Sequence, residues 1–191
     1  MKLVLASASP RRRELLSFLG VPFEVHPANL DETQLPGEGA HAYVERLARA
    51  KAGHHAAVEI ALAADTSVVI DDEVLGKPGN DAQLGAQMLR RLSGRAHEVL
   101  TGLAVAGPKG LFSRVVSSQV HFRALSEAEI AWYVSSGEGA DKAGGYALQG
   151  RAGAFITSVV GSPSNVIGLP LADTVELLRT AGLHLPMDGA R

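Results

Sequence analysis

Residues 60–70 read Ile60-Ala61-Leu62-Ala63-Ala64-Asp65-Thr66-Ser67-Val68-Val69-Ile70, an apolar run interrupted once, by Asp65-Thr66-Ser67. A continuous apolar stretch of this length, rich in β-branched residues, reads as a central strand covered on both faces. The interruption is the informative part. Aspartate is depleted inside strands, and a buried carboxylate must be paired, hydrogen-bonded or bound to metal, because leaving it bare costs several kcal/mol. The bland alternative puts Asp65-Thr66 at a strand edge, capping a turn. Perturbed carboxylates cluster at active sites, which tilts the reading towards function.

Working outward towards the start, a helix is predicted from about Ala40 to Ala57, with Tyr43, Val44, Leu47 and Ala48 as its inward stripe. Lys51 stands four residues beyond Leu47, on that same face. A loop carrying Asp31 and Glu32 precedes it, and Val21 to His26 reads as a strand. Lys2 to Ala6 is a short buried strand; Ser9-Pro10 then opens a helix, with serine as N-cap and proline at the first helical position, and Gly20 closes it.

Towards the other end, a loop through Gly76-Lys77-Pro78 leads to a helix from Asp81 to Leu92 whose stripe is Leu84, Met88 and Leu92. His97 to Ala106 and Leu111 to Phe122 form a hairpin around Gly107-Pro108-Lys109-Gly110. Ser126 to Glu129 is a capping box, with Leu125 and Ile130 as its hydrophobic staple. A glycine-rich segment from Gly137 to Gly153 runs into a strand from Ala154 to Val160, and a last helix follows Pro170 and closes near Gly182. Strands and helices alternate, so the class is α/β, and 191 residues favour a single domain over residues 1–191.

Composition removes several functions. Charged residues make up 20% and hydrophobic ones 46%, with a net charge of −2, so disorder and a broad basic nucleic-acid surface are both disfavoured. The chain has no cysteine, hence no disulfide, thiolate zinc site or cysteine nucleophile. No stretch approaches the roughly eighteen apolar residues of a membrane span, and Arg11-Arg12-Arg13 lies on the wrong side of a short apolar start for a signal peptide. The expected compartment is the cytoplasm. Walker A, GxGxxG and HExxH patterns are missing, and the seven histidines show no metal spacing.

The chemistry then rests on a few places. Ser7-Ala8-Ser9-Pro10-Arg11-Arg12 sits at a strand-to-helix junction, where backbone N–H groups and the helix dipole suit an anion; surface arginines on a capped helix are the plainer account. A lysine at a position such as Lys51 ordinarily snorkels to water. Lys77, on a constrained loop, can reach a phosphate, and Glu32 can join Asp65 around a magnesium ion, although acidic loop pairs are more often simply solvated. Between Gly137 and Gly150 the glycines enclose Asp141-Lys142, Tyr146 and Gln149, which fits a rigid pocket wall better than a linker. The Gln149 amide offers a donor and an acceptor matching the O4 and N3–H edge of uracil or thymine.

In order and spacing these pieces resemble the Maf family of nucleotide pyrophosphatases. The matching segments are Leu5-Ala6-Ser7-Ala8-Ser9-Pro10-Arg11-Arg12, Arg49-Ala50-Lys51-Ala52, Ala64-Asp65-Thr66, Gly76-Lys77-Pro78, Asp141-Lys142-Ala143-Gly144 through Gln149-Gly150, and Gly161-Ser162 through Asn165-Val166-Ile167-Gly168-Leu169-Pro170. The resemblance implies a mixed central sheet with flanking helices and two lobes around a deep cleft, as in the inosine-triphosphate pyrophosphatases. It implies attack of water on the α-phosphorus of a nucleoside triphosphate, expelling pyrophosphate, with a divalent cation, Mg²⁺ or Mn²⁺, as cofactor. On that analogy Asp65 is the general base or a metal ligand, with Glu32 assisting the metal. Ser7, Ser9, Arg12, Lys51 and Lys77 cradle the triphosphate, Lys142 joins the substrate contacts, and Arg11, Thr66 and Gln149 tune base choice.

The segment from Asp141 to Gly150 is similar to the subgroup acting on dTTP and UTP rather than 7-methyl-GTP. Pro163 departs from the family, whose members often carry a bulky residue there. The expected partner is a small nucleotide, with no nucleic acid and no membrane; a homodimer is compatible with the sequence. A non-catalytic nucleotide sensor regulating division, or a phosphatase releasing single phosphates, are the competing classes.

Overall fold

The computed structural model describes residues 2–55 and 60–189. Its elements run β1 (Leu3–Leu5), α1 (Pro10–Ser17), β2 (Phe23–Val25), α2 (Ala40–Gly53), β3 (Ile60–Ile70), β4 (Glu73–Leu75), α3 (Ala82–Leu92), β5 (Ala96–Gly107), β6 (Gly110–Phe122), α4 (Glu127–Ser135), β7 (Ile156–Val160), α5 (Pro163–Ile167) and α6 (Leu171–Thr180). Among the described residues they form one seven-stranded mixed sheet in the order β2-β1-β3-β5-β6-β7, with β4 pairing β3. The fold is α/β. No helix among the described residues is long and apolar enough to cross a membrane.

Two compact units are distinguishable, the first comprising residues up to Asp65, Thr101–Val116 and Gly168 onward, the second Thr66–Leu100 and Ser117–Ile167. In the first, β1 pairs in parallel with β2 (Leu3 opposite Phe23) and with β3 (Leu3 opposite Ile60). Parallel neighbours need crossover connections, and α1 and α2 supply them. Under α2 the core is built of small side chains: Ala6, Ala48, Ala52, Ala63, Ala104 and Ala106. Small residues let a helix lie close to a sheet. At Gly102 the approach is backbone on backbone, since a Cβ there would fall 2.1 Å from the Val44 carbonyl oxygen. The helix expected to reach Ala57 gives way at Gly53, with His54 at its C-cap; residues 56 and 57 lie outside the described residues.

The second unit is antiparallel in character. β3 turns directly into β4, with Ile70 opposite Glu73, and β6 pairs with β7 across a register shift at His121/Phe122. Its core joins Val68, Met88, Leu92, Val120, Tyr133 and Phe155. α4 carries the predicted capping box, Ser126 accepting from Glu129 N–H while the Glu129 carboxylate accepts from Ser126 N–H. α3 corrects the predicted stripe: Leu84 is exposed, and Gly85, Met88, Leu89 and Leu92 face inward. Steps of four residues advance about 400° and carry a stripe round the helix, so its first member falls off the buried face. Two elements were not expected, β4 and the short α5, which Pro163 opens.

Candidate active site

β3 continues past the end of β1. Leu62 is the last residue registered against β1, opposite Leu5, and Asp65 lies three positions further on. The chain leaves β1 through Ser7 and enters α1 at the same end. In parallel sheets this carboxyl edge is where ligands collect, because the loops there end in helix N-termini.

Ser9 is the N-cap of α1, its Oγ accepting from Arg12 N–H at 3.5 Å, and Pro10 occupies the first turn. Ser7 is buried, and its Oγ accepts from Ser9 N–H at 3.3 Å. The Arg12 guanidinium folds back over this turn: Nη1 donates to Ser7 Oγ at 3.2 Å and Nε to the Gly168 carbonyl at 2.9 Å. Burial holds Arg12 below its ordinary pKa, while Asp65 and Glu32 oppose that shift. The arginine is thus within electrostatic reach of both carboxylates, and it stays protonated, as guanidinium does in proteins. A cation in the first turn of a helix, unfavourable to the dipole by itself, is here tied to a carbonyl and faces negative charge.

The centre of the arrangement is Lys51. Its side chain does not snorkel to water: the residue is 6% exposed, and Nζ lies 2.8 Å from Asp65 Oδ1 and 2.6 Å from Glu32 Oε1. Asp65 is 8% exposed in mid-strand, which disposes of the strand-edge reading. The close packing of α2 on the alanine floor brings a lysine stem of ordinary length to β3. Glu32 comes from a loop that is exposed along residues 31–37. Its neighbour Asp31 is spent locally, accepting from Thr33 N–H at 2.9 Å and from the Thr33 hydroxyl at 2.6 Å.

Both carboxylates touch one ammonium, so their contacting oxygens are no further apart than those two contacts laid end to end. Two carboxylates gathered on one ammonium are also two oxygen donors available to a divalent cation. Among the described residues no three His, Cys, Asp or Glu side chains converge as a metal site. Two carboxylates are what magnesium uses when water and phosphate oxygens complete its shell, so Glu32 and Asp65 fit the group.

A family model described as Maf-like protein matches residues 2–181. The chain belongs to the Maf family. Its relatives include a protein of Anaeromyxobacter sp. (strain Fw109-5), 58% identical over 98% of this chain and 93% of its own length. Another, from Myxococcus xanthus (strain DK1622), is 55% identical over 96% and 94%, and one from Yersinia pestis bv. Antiqua (strain Antiqua) is 47% identical over 92% and 91%. All three are named dTTP/UTP pyrophosphatase.

The remaining expected residues of this Maf chain are Arg11, Thr66, Lys77, Lys142 and Gln149. Arg11 is partly buried on α1 and makes no hydrogen bond with the cluster around Lys51. Thr66, partly buried, and Lys77, Lys142 and Gln149 belong to the second unit. Lys77 and Gln149 are exposed there, and Lys142 pairs with Asp141. The glycine-rich segment forms part of a cavity wall. With Pro78, Ala82 and Tyr133, its Gly137, Gly139 and Gly145 line a cavity of about 200 Å³ within the second unit. Glycine is obligatory at Gly139, where a Cβ would fall 2.0 Å from the Gly145 carbonyl oxygen. Neither Lys142 nor Gln149 lines that cavity.

Three contacts were not readable from the sequence. The Gly168 carbonyl anchors Arg12 across 156 positions. Tyr43, expected in the inward stripe of α2, is only partly buried and donates its hydroxyl to the Glu32 carbonyl at 2.9 Å. Arg46 donates to the Thr33 carbonyl at 3.1 Å. In each a side chain meets a main-chain carbonyl, which no side-chain pattern announces.

Proposed function

We propose that this chain hydrolyses dTTP and UTP to the nucleoside monophosphate and pyrophosphate, using a divalent cation, Mg²⁺ or Mn²⁺. The observation that carries the reading is the Lys51 ammonium clasped between Glu32 and Asp65, beside the Ser7–Arg12 turn, in a Maf-family chain. The names of the relatives supply the substrates.

The Ser7 hydroxyl, the start of α1 and the Arg12 guanidinium bind phosphate oxygens, and Lys51 adds a point charge to them. Asp65 takes the proton of the attacking water. The water oxygen bonds to the α-phosphorus, the α–β anhydride bond breaks, and pyrophosphate leaves with that electron pair. Glu32 and Asp65 would hold the cation, which when bound would supply positive charge to the phosphate oxygens and acidify water. Phosphoryl transfer of this kind depends on positioning and charge neutralisation more than on covalent chemistry, and this residue set provides both. Lys77 and Lys142 are assigned to substrate contacts, Arg11, Thr66 and Gln149 to base choice, residues 1–191 to a single Maf domain, and the protein to the cytoplasm.

The test is an assay of the purified protein against a panel of nucleoside triphosphates, with and without Mg²⁺ or Mn²⁺, identifying both products. Metal-dependent pyrophosphate release, greatest with dTTP and UTP, is the expected result. Orthophosphate as the product, or nucleotide binding without turnover, overturns the reading.

A further inference from the structure

Glu32 is the least supported member of the cluster. Its side chain is half exposed, and residues 31–37 are exposed and carry no helix or strand. Such a segment fixes a carboxylate only if its main chain is pinned from outside. The pins come from α2. Arg46 forms a two-pronged ion pair with Glu38, at 2.6 and 2.8 Å, and reaches the Thr33 carbonyl. Glu38 in turn accepts from Leu35 N–H at 3.1 Å, and its carbonyl accepts from Gln34 Nε2 at 2.7 Å. Those contacts organise the far side of the loop. At Glu32 itself the Tyr43 hydroxyl donates to the main-chain carbonyl.

Tyr43 and Lys51 stand eight residues apart on α2, about 12 Å along its axis. One helix therefore holds the main chain of Glu32 at one point and meets its carboxylate at another. The Arg46 guanidinium, 5.6 Å from the centre of the Tyr43 ring, holds that ring in place.

We infer that Tyr43 is a positioning residue that holds Glu32 in place as the second carboxylate of the metal site. The inference rests on the reading of Glu32 given above. The geometry separates it from a packing role: Tyr43→Phe keeps the ring and its stacking on Arg46 and removes only the hydroxyl.

The test compares wild type, Tyr43→Phe, Glu32→Gln and the double variant. Mn²⁺ binding to the nucleotide-free protein is followed by electron paramagnetic resonance, and kcat and KM for UTP are measured at saturating metal. Tyr43→Phe is expected to weaken Mn²⁺ binding about five- to tenfold, the scale of one lost hydrogen bond. Its KM for UTP should hold, and in the Glu32→Gln background it should have no further effect. If Glu32→Gln weakens Mn²⁺ binding but Tyr43→Phe does not, the inference falls and the assignment of Glu32 stands. An equal Tyr43→Phe effect in both backgrounds makes the tyrosine a packing residue. Unchanged Mn²⁺ binding in Glu32→Gln overturns both.

Discussion

Lys51 Nζ and Asp65 Oδ1 are 2.8 Å apart, and both residues are more than nine-tenths buried. Inside a protein neither charge is tolerable without the other, so helix α2 and strand β3 are joined at the one point where the proposed chemistry happens. Asp65→Asn tests the carboxylate. The amide retains the shape and can still accept from Lys51, which also keeps Glu32. The variant should fold, bind UTP with near-normal affinity, and release pyrophosphate about 10²–10⁴-fold more slowly, the usual worth of a positioned base. Calorimetric binding and a pyrophosphate assay measure the two sides; wild-type-like turnover removes Asp65 from the role given to it.

The same geometry makes the lysine a rival of the metal. Its ammonium sits between the two carboxylates that fit a divalent cation, so metal entry competes with it. Lys51→Met keeps most of the stem and removes the charge. Nucleotide-free Lys51→Met should bind Mn²⁺ more tightly than wild type, by about tenfold or more, while UTP turnover falls. Its unfolding free energy should drop by about 3 kcal/mol without metal, because Asp65 is left buried and unpaired, and Mn²⁺ should restore part of that loss. Unchanged Mn²⁺ affinity would show that the ammonium and the cation do not compete.

Much of this was legible beforehand, because local rules set it. Ser9-Pro10, the Ser126–Glu129 box and the apolar run of β3 each declare themselves within a few residues. Lys51 was placed on the inward face by spacing alone. What spacing could not say was whether its head group turned outward, since that depends on Asp65 and Glu32 arriving from 14 positions one way and 19 the other. β4 was missed for a different reason. The hairpin before it puts Asp71 and Asp72 at φ of 53° and 60°. A two-residue turn with both φ positive is usually marked by glycine or asparagine, and a pair of aspartates signals it weakly. The Tyr43–Glu32, Arg46–Thr33 and Arg12–Gly168 contacts escaped because each ends on a main-chain carbonyl, and carbonyls have no sequence identity.

Gln149 carries the expectation about the base. It is exposed and makes no hydrogen bond among the described residues, so its amide is available to a ligand and contributes little to folding. Gln149→Ala should leave the melting temperature unchanged. It should lower kcat/KM for UTP about 10- to 100-fold more than for a purine triphosphate, matching roughly 1–3 kcal/mol for a base edge left unpaired. Equal losses for all bases would take base reading away from this residue.

The second unit has a pH dependence of its own. His97 is 3% exposed, its Nε2 within 2.7 Å of the Tyr146 hydroxyl and its ring edge-on to Phe122 and Tyr146. Burial first, then the nearby His121, push its pKa from 6.5 down to about 4. Between those values the unfolded chain binds a proton that the folded one refuses, so stability rises with pH across that window. The contribution is fully present above pH 6.5 and is lost as pH falls towards about 4. Going from about pH 7 to about pH 5 should therefore lower the unfolding free energy by roughly 2 kcal/mol through this residue. His97→Gln, which can still hydrogen-bond to Tyr146 but cannot take up a proton, should flatten that slope in urea titrations at the two pH values. A slope as steep as that of wild type would mean that the proton is taken up elsewhere.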